Sequence, residues 1–95
     1  MTSIYLPHAC TEMRRFIDDP RVPIAYEQRF REYALILIGS DAYQQIFYCP
    51  WCGAELPKSL RDEFFDRMDR LGIDFPVDPA PPPYDSDAWW RNIGL

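Results

Sequence analysis

Cys49-Pro50-Trp51-Cys52-Gly53 sets two thiols three positions apart around a proline and just ahead of a glycine. Two thiolates at that spacing chelate one ion when the backbone between them turns tightly. Pro50 fixes its own φ, and Gly53 permits the positive φ that such a turn requires. Backbone N–H groups in the turn point at the sulfurs and stabilise their charge. His8-Ala9-Cys10 supplies the remaining cysteine and the one histidine of the chain. His8, Cys10, Cys49 and Cys52 therefore form four soft ligands in two short halves. That is the number a closed tetrahedral Zn²⁺ site takes, and three cysteines with one histidine are an accepted composition for a structural one.

C-x2-C spacing also serves redox dithiols, so Cys-Pro-Trp-Cys has a second chemistry open to it. In a thioredoxin-like dithiol the helix begins at the motif, and its N-terminus lowers the thiol pKa. Here Gly53 and Pro57 intervene, the helix start signal comes only at Ser59, and no βαβ pattern precedes the motif. Cys-Pro-x-Cys-Gly followed shortly by an apolar residue resembles the knuckle of zinc ribbons and rubredoxin-like sites. His8-x-Cys10 is a less usual second half. Structural zinc is the preferred reading, and the thiol–disulfide reading is its alternative.

The elements that must position these ligands follow from local pattern. Ile4-Tyr5-Leu6 reads as a short edge strand ended by Pro7. Thr11 caps a short helix with Met13, Phe16 and Ile17 on one face, stopped at Asp18-Asp19-Pro20. Cys10 then sits at a helix N-terminus, where the dipole favours a thiolate. Arg21 to Gln28 reads as irregular. Phe30 to Ile38 is the clearest strand, apolar on both faces from Ala34 onward, and so central or well covered. Gly39-Ser40-Asp41-Ala42 turns the chain, and Gln44 to Tyr48 returns it to Cys49.

Lys58 to Leu71 predicts the main helix, with Ser59 as N-cap and Asp62 completing a capping-box-like pair. Leu60, Phe64, Phe65, Met68 and Leu71 share a stripe that reads as core. Glu63/Arg67 and Asp66/Arg70 are i,i+4 pairs, and Gly72 is the expected C′ residue. Five of the ten prolines lie between Pro76 and Pro83, which predicts an extended strap of polyproline II character. Ser86 caps a last turn holding Trp89 and Trp90. The fold class is α+β: a small zinc-ribbon-like domain over residues 1–73, made of a β-hairpin with its knuckle, one short helix and one longer helix. Residues 74–95 form the Pro-rich strap and a Trp-containing turn packed on that domain.

Ninety-five residues make one domain with a limited core, so a metal cross-link between residues 8 and 52 contributes to folding. The net charge of −5 opposes nucleic acid, whose binding draws on Lys and Arg contacts to phosphates. Arg14, Arg15, Arg21, Arg29 and Arg31 cluster early but are interleaved with Glu12, Asp18, Asp19 and Glu27. No basic, apolar leader precedes Thr2-Ser3-Ile4, and no apolar run reaches the ~20 residues of a membrane span. Thiols bound to metal fit a reducing cytoplasm. No phosphate loop or Ser/His/Asp arrangement is visible, so the sequence predicts no enzyme. It predicts a module that binds another protein, as a monomer or weak dimer, with Trp51, Trp89 and Trp90 as candidate contacts. A nucleic-acid-binding zinc ribbon is a further alternative.

His8-Ala9-Cys10-Thr11-Glu12-Met13, Phe30-Arg31-Glu32-Tyr33, Tyr48-Cys49-Pro50-Trp51-Cys52-Gly53, Leu56-Pro57-Lys58-Ser59-Leu60-Arg61-Asp62-Glu63 and Ser86-Asp87-Ala88-Trp89-Trp90 together resemble a family of small bacterial proteins classed only as a domain of unknown function. The resemblance covers most of the chain. Where the family often carries a cysteine pair, this sequence has Ala9-Cys10. The resemblance implies no activity. It does imply that the Leu56–Glu63 segment belongs to one unit with the knuckle.

Overall fold

A computed structural model describes residues 5–95 of the chain, and the described elements are of α+β type. In order they are α1 (Thr11–Phe16), β1 (Ile24–Glu27), β2 (Glu32–Ile36), β3 (Tyr43–Ile46), α2 (Arg61–Leu71) and α3 (Ala88–Arg91). Packing divides the chain into two compact units. One takes the residues up to Tyr26 together with Tyr33–Lys58; the other takes Glu27–Glu32 together with Ser59–Leu95. Among the described residues no helix is long and apolar enough to cross a membrane.

In the first unit a three-stranded sheet runs in the order β1-β2-β3. β2 pairs antiparallel with β3, with Tyr33 opposite Ile46 and Ile36 opposite Tyr43. β1 is a strand where the sequence reads as irregular. Pro23 suggests a break, but it stands just before the strand, where its missing N–H costs no ladder bond. Its carbonyl accepts from the Ile36 N–H at 2.8 Å. Ile24 is buried and Tyr26 packs against the same core.

That core joins Leu6, Met13, Tyr33, Cys49 and Leu56. Leu6 enters it from irregular chain, so Tyr5-Leu6 forms no strand; Ile4 lies outside the described residues. The cover expected over Ala34–Ile38 stops early. Tyr33 and Ala34 are buried, whereas Leu35, Ile36, Leu37 and Ile38 are exposed, Ile38 to 89 %. Length explains this. The six residues of α1 span about 9 Å, whereas the five of β2 alone span about 17 Å before the chain turns at Ile38. Met13 of α1 therefore packs on the root of the hairpin and leaves its far end open.

The second unit is built on aromatic packing. Phe30, Phe64, Met68, Trp89 and Trp90 form its buried core, with Phe65, Phe75 and Tyr84 packed against it. Phe64 meets Phe30 edge-on at 4.9 Å between centroids, and Phe75 at 5.2 Å. Such T-shaped pairs place positive ring edges on negative faces. Both tryptophans are buried, and each indole N–H finds a carbonyl: Trp89 donates to Arg29 O at 2.9 Å, Trp90 to Gln28 O at 2.7 Å. The proline-rich segment folds into turns rather than a continuous polyproline helix, with N–H donation from Asp78 to Asp74 O and from Tyr84 to Pro81 O, each at 2.7 Å.

α2 starts later than Lys58, and Ser59 stands one residue before its N-cap. Leu60 occupies the N-cap without a side-chain bond. The Ser59 oxygen accepts from the Arg61 N–H at 3.1 Å while its hydroxyl donates to Glu32 Oε2 at 2.6 Å, and Arg61 grips the same carboxylate through Nε at 3.0 Å and Nη2 at 2.8 Å. Glu32 is only 4 % exposed, and a buried carboxylate is tolerated only when its oxygens are satisfied. At the other end Gly72 takes φ 72° and its N–H bonds Met68 O and Asp69 O, as the stop signal requires. The Glu63–Arg67 pair forms at 2.9 Å, and Asp66–Arg70 forms too. Phe64 and Met68 of the stripe are buried, but Leu71 is 54 % exposed.

Trp89→Ala is expected to lower the stability of the chain by about 3–5 kcal/mol, the usual cost of emptying a buried aromatic position. The loss adds to the orphaned Arg29 carbonyl. Urea unfolding checks it, and a midpoint equal to that of the parent chain would show that the indole contributes nothing to this core.

Candidate metal centre

The knuckle is a small ladder that continues from β3. Leu56 N–H donates to Phe47 O at 2.8 Å, Tyr48 bridges Glu55, and Cys49 N–H donates to Ala54 O at 2.8 Å. The tip closes with Gly53 N–H on Cys49 O at 2.9 Å, Gly53 taking φ 75°. A side chain at that φ would be strained, which is why glycine stands there. This ladder fixes Cys49 and Cys52 relative to each other.

Cys10 is fixed by a helix. It is the N-cap of α1, a place the sequence assigns to Thr11, and its Sγ accepts from the Met13 N–H at 3.4 Å. His8 lies two residues before that cap in irregular chain. Its backbone is held by Tyr33: the phenol oxygen accepts from His8 N–H at 3.1 Å and donates to His8 O at 2.8 Å. Burial pushes the Tyr33 phenol up to about 12, against the opposing pull of the His8 backbone, so it stays a donor across the physiological range.

These anchors bring all four expected ligands together. One ligand atom from each of His8, Cys10, Cys49 and Cys52 lies within 4.8 Å of the other three. Cys10 Sγ and Cys49 Sγ are 3.7 Å apart, and Cys52 Sγ and His8 Nε2 are 3.4 Å apart. A tetrahedron with metal–sulfur bonds near 2.3 Å and metal–nitrogen bonds near 2.05 Å has edges of about 3.8 Å between sulfurs and about 3.6 Å between sulfur and nitrogen. These two separations agree with it, and the remaining ones lie within 4.8 Å. All three cysteines are free thiols, and the 3.7 Å between Cys10 and Cys49 is far beyond the ~2.05 Å of a disulfide. The set is compatible with a bound metal ion. Cys49 forms the buried floor, His8 and Cys10 are half-buried, and Cys52 is exposed.

Charge in the metal-free cluster settles on Cys49. Burial pushes its thiol up, but the N–H groups of Cys52 and Trp51 and the Cys52 and His8 side chains outweigh it and bring it down to about 6. Cys10 behaves differently from what its helix end suggests. The Met13 N–H pulls the thiol down, but burial and the neighbouring Cys49 and Cys52 sulfurs prevail and raise it. A six-residue helix has a weak dipole, and a thiolate already sits 3.7 Å away.

The aromatic candidates separate. Trp51 is half-buried and stacks on Phe16 at 5.5 Å between centroids, whereas Trp89 and Trp90 lie inside the core of the second unit. The early arginines are divided as well. Arg21 pairs with Asp19 at 2.8 Å and Arg29 with Glu27 at 3.4 Å, while Arg15 lies over Phe16 and Arg31 over Trp90. The residue that sequence reasoning passes over is Tyr33. In a strand of aromatic and aliphatic residues it reads as core, and nothing local marks its hydroxyl.

The family model of a domain of unknown function, DUF6980, matches residues 1–92 of the chain. No curated protein and no solved structure matches it.

In the metal-free chain, one thiolate is expected to appear by ultraviolet absorbance with a midpoint near pH 6 and to vanish in Cys49→Ser. Because this value lies below that of a free thiol, ~8.5, the Cys49 thiolate stabilises the metal-free fold fully above that value. The contribution is lost as pH falls through about 6. A first thiolate appearing only above pH 8 would contradict this assignment.

Proposed function

The chain belongs to the DUF6980 family of domains of unknown function, and we propose that it is a noncatalytic protein-interaction module built around a structural Zn²⁺. The observation that carries the metal reading is the pair of ligand separations, 3.7 and 3.4 Å, at the edge lengths of a zinc tetrahedron. His8, Cys10, Cys49 and Cys52 would hold the ion, and four protein ligands leave no position for substrate. Zinc fits three thiolates and an imidazole better than a hard cation does. The arrangement is that of a zinc-ribbon-like knuckle closed by a His-x-Cys half. Coordinated thiols suit a reducing compartment, which favours the cytoplasm.

The partner reading rests on exposed apolar area. Leu37, Ile38, Tyr43, Phe47 and Tyr48 all stand in water on or beside the hairpin that leads into the knuckle. Exposed apolar area on this scale is what interaction sites are made of. Of the tryptophans only Trp51 remains half-exposed for such a contact. The net charge of −5 and the pairing of Arg21 and Arg29 with carboxylates weigh against a phosphate backbone as partner. The lowered Cys49 thiol favours a second reading, a thiol–disulfide protein. Against it, Cys49 is 2 % exposed and neither α1 nor α2 begins at the knuckle.

Elemental analysis of protein made without added metal is expected to give one zinc per chain. Cys52→Ser and chelator treatment are each expected to lower the melting temperature by many degrees, since metal-binding free energy is here partly folding free energy. Folded protein free of metal and carrying a Cys49–Cys52 disulfide would replace the zinc reading with the redox one. For the partner, Ile38→Asp is expected to abolish capture of a host protein with zinc content unchanged. Tight, salt-sensitive binding of the parent chain to DNA or RNA would overturn the protein-binding reading.

A further inference from the structure

Three of the four ligands are fixed by structure that includes them. Cys49 and Cys52 lie in the ladder and turn of the knuckle, and Cys10 is the N-cap of α1. Among the described residues, no helix or strand includes His8. It sits in irregular chain before the cap, and its backbone N–H and C=O are both bonded by one oxygen, the Tyr33 hydroxyl, from a residue 25 positions away. Tyr33 itself is 1 % exposed, packed on Tyr26 with ring centroids 4.7 Å apart, and sits in the central strand opposite Ile46.

We infer that Tyr33 positions His8 as the fourth metal ligand. The hydroxyl acts on the histidine backbone as a strand partner would, donating to the carbonyl and accepting from the amide. Both bonds run to one residue, so they fix the direction in which its Cα–Cβ bond leaves the chain. The imidazole is thereby aimed so that Nε2 comes to 3.4 Å from Cys52 Sγ. Without the hydroxyl, the three thiolates keep their own supports and the His8 segment does not. The site then changes from a closed set of three thiolates and one imidazole to three thiolates with a position open to water. The inference rests on the zinc reading proposed above. It adds that the closure of the coordination sphere is controlled from the sheet.

The test is Tyr33→Phe, which keeps the buried ring and removes only the oxygen, set beside His8→Ala and the double variant. Zinc affinity, read by competition with a chromophoric chelator, is expected to fall about 10–100-fold in Tyr33→Phe, the range typical of losing a group that orients a ligand. With Co²⁺ as probe, the sulfur-to-metal charge-transfer intensity is expected to stay that of three thiolates. The ligand-field bands should shift to those of His8→Ala. In the His8→Ala background, Tyr33→Phe should cost no further affinity. Parent-like affinity and spectrum in Tyr33→Phe would overturn the inference, as would a full additive loss in the double variant. So would a Tyr33→Phe chain that is unfolded with metal present, which would make the hydroxyl a structural group only. A parent chain that takes up no metal would sink the zinc reading itself, and is told apart by the parent measurement alone.

Discussion

Four ligand atoms held within 4.8 Å of one another are the constraint on which the first unit depends. Bringing three sulfurs and an imidazole that close, with one of the sulfurs already charged, is unfavourable unless something compensates. The apolar core beneath them is small: Leu6, Met13, Tyr33, Cys49 and Leu56, with one ligand itself among its members. Small cores of this kind fall short of the conformational entropy they must offset, which is where a metal cross-link is usually found. Chemistry and folding therefore coincide here. Cys49 is at once a core residue, the end of a ladder and the first thiolate.

The second unit meets the same problem of size by different means. Its centre is aromatic, and its polar needs are met with few groups. Two indoles use the free carbonyls of Gln28 and Arg29, and one buried carboxylate, Glu32, takes Ser59 and Arg61 as partners. The guanidinium of Arg61 also lies over the Phe30 ring at 4.5 Å, so one side chain satisfies the carboxylate and covers the core. Ser59 serves both carboxylate and helix: its hydroxyl donates to the carboxylate, and its oxygen accepts from the Arg61 N–H at 3.1 Å in the first turn of α2.

Local chemistry was legible in the sequence, and contacts between distant residues were not. The knuckle turn, the stop at Gly72 and the two i,i+4 pairs of α2 each involve residues within a few positions, and each formed as read. The meeting of His8 and Cys10 with Cys49 and Cys52 was also readable, because the chain offers so few soft ligands. Misreadings arose where a partner came from far away. Ser59 stands one residue before the N-cap Leu60 and also meets Glu32, 27 positions off. Cys10 rather than Thr11 became a cap because its sulfur faces both the helix and the cluster. The hairpin's open end depended on the length of α1, which its apolar pattern, extending through Ile17, did not set. The bonds from Tyr33 to the His8 backbone were invisible because a hydroxyl in a core strand has no sequence signature.

The short segment Glu27–Glu32 connects β1 to β2 along the chain, yet it packs with the second unit. It brings Phe30, the two carbonyls that receive the indoles, and the Glu32 carboxylate. Neither unit is thus a continuous stretch of polypeptide. A gene fragment coding only for residues 59–95 would carry the tryptophans without their acceptors and Arg61 without its carboxylate. No single cut in the coding sequence leaves both units whole. A fragment ending at Lys58 keeps all of the first unit, but it carries away the loop between two strands that the second unit then lacks.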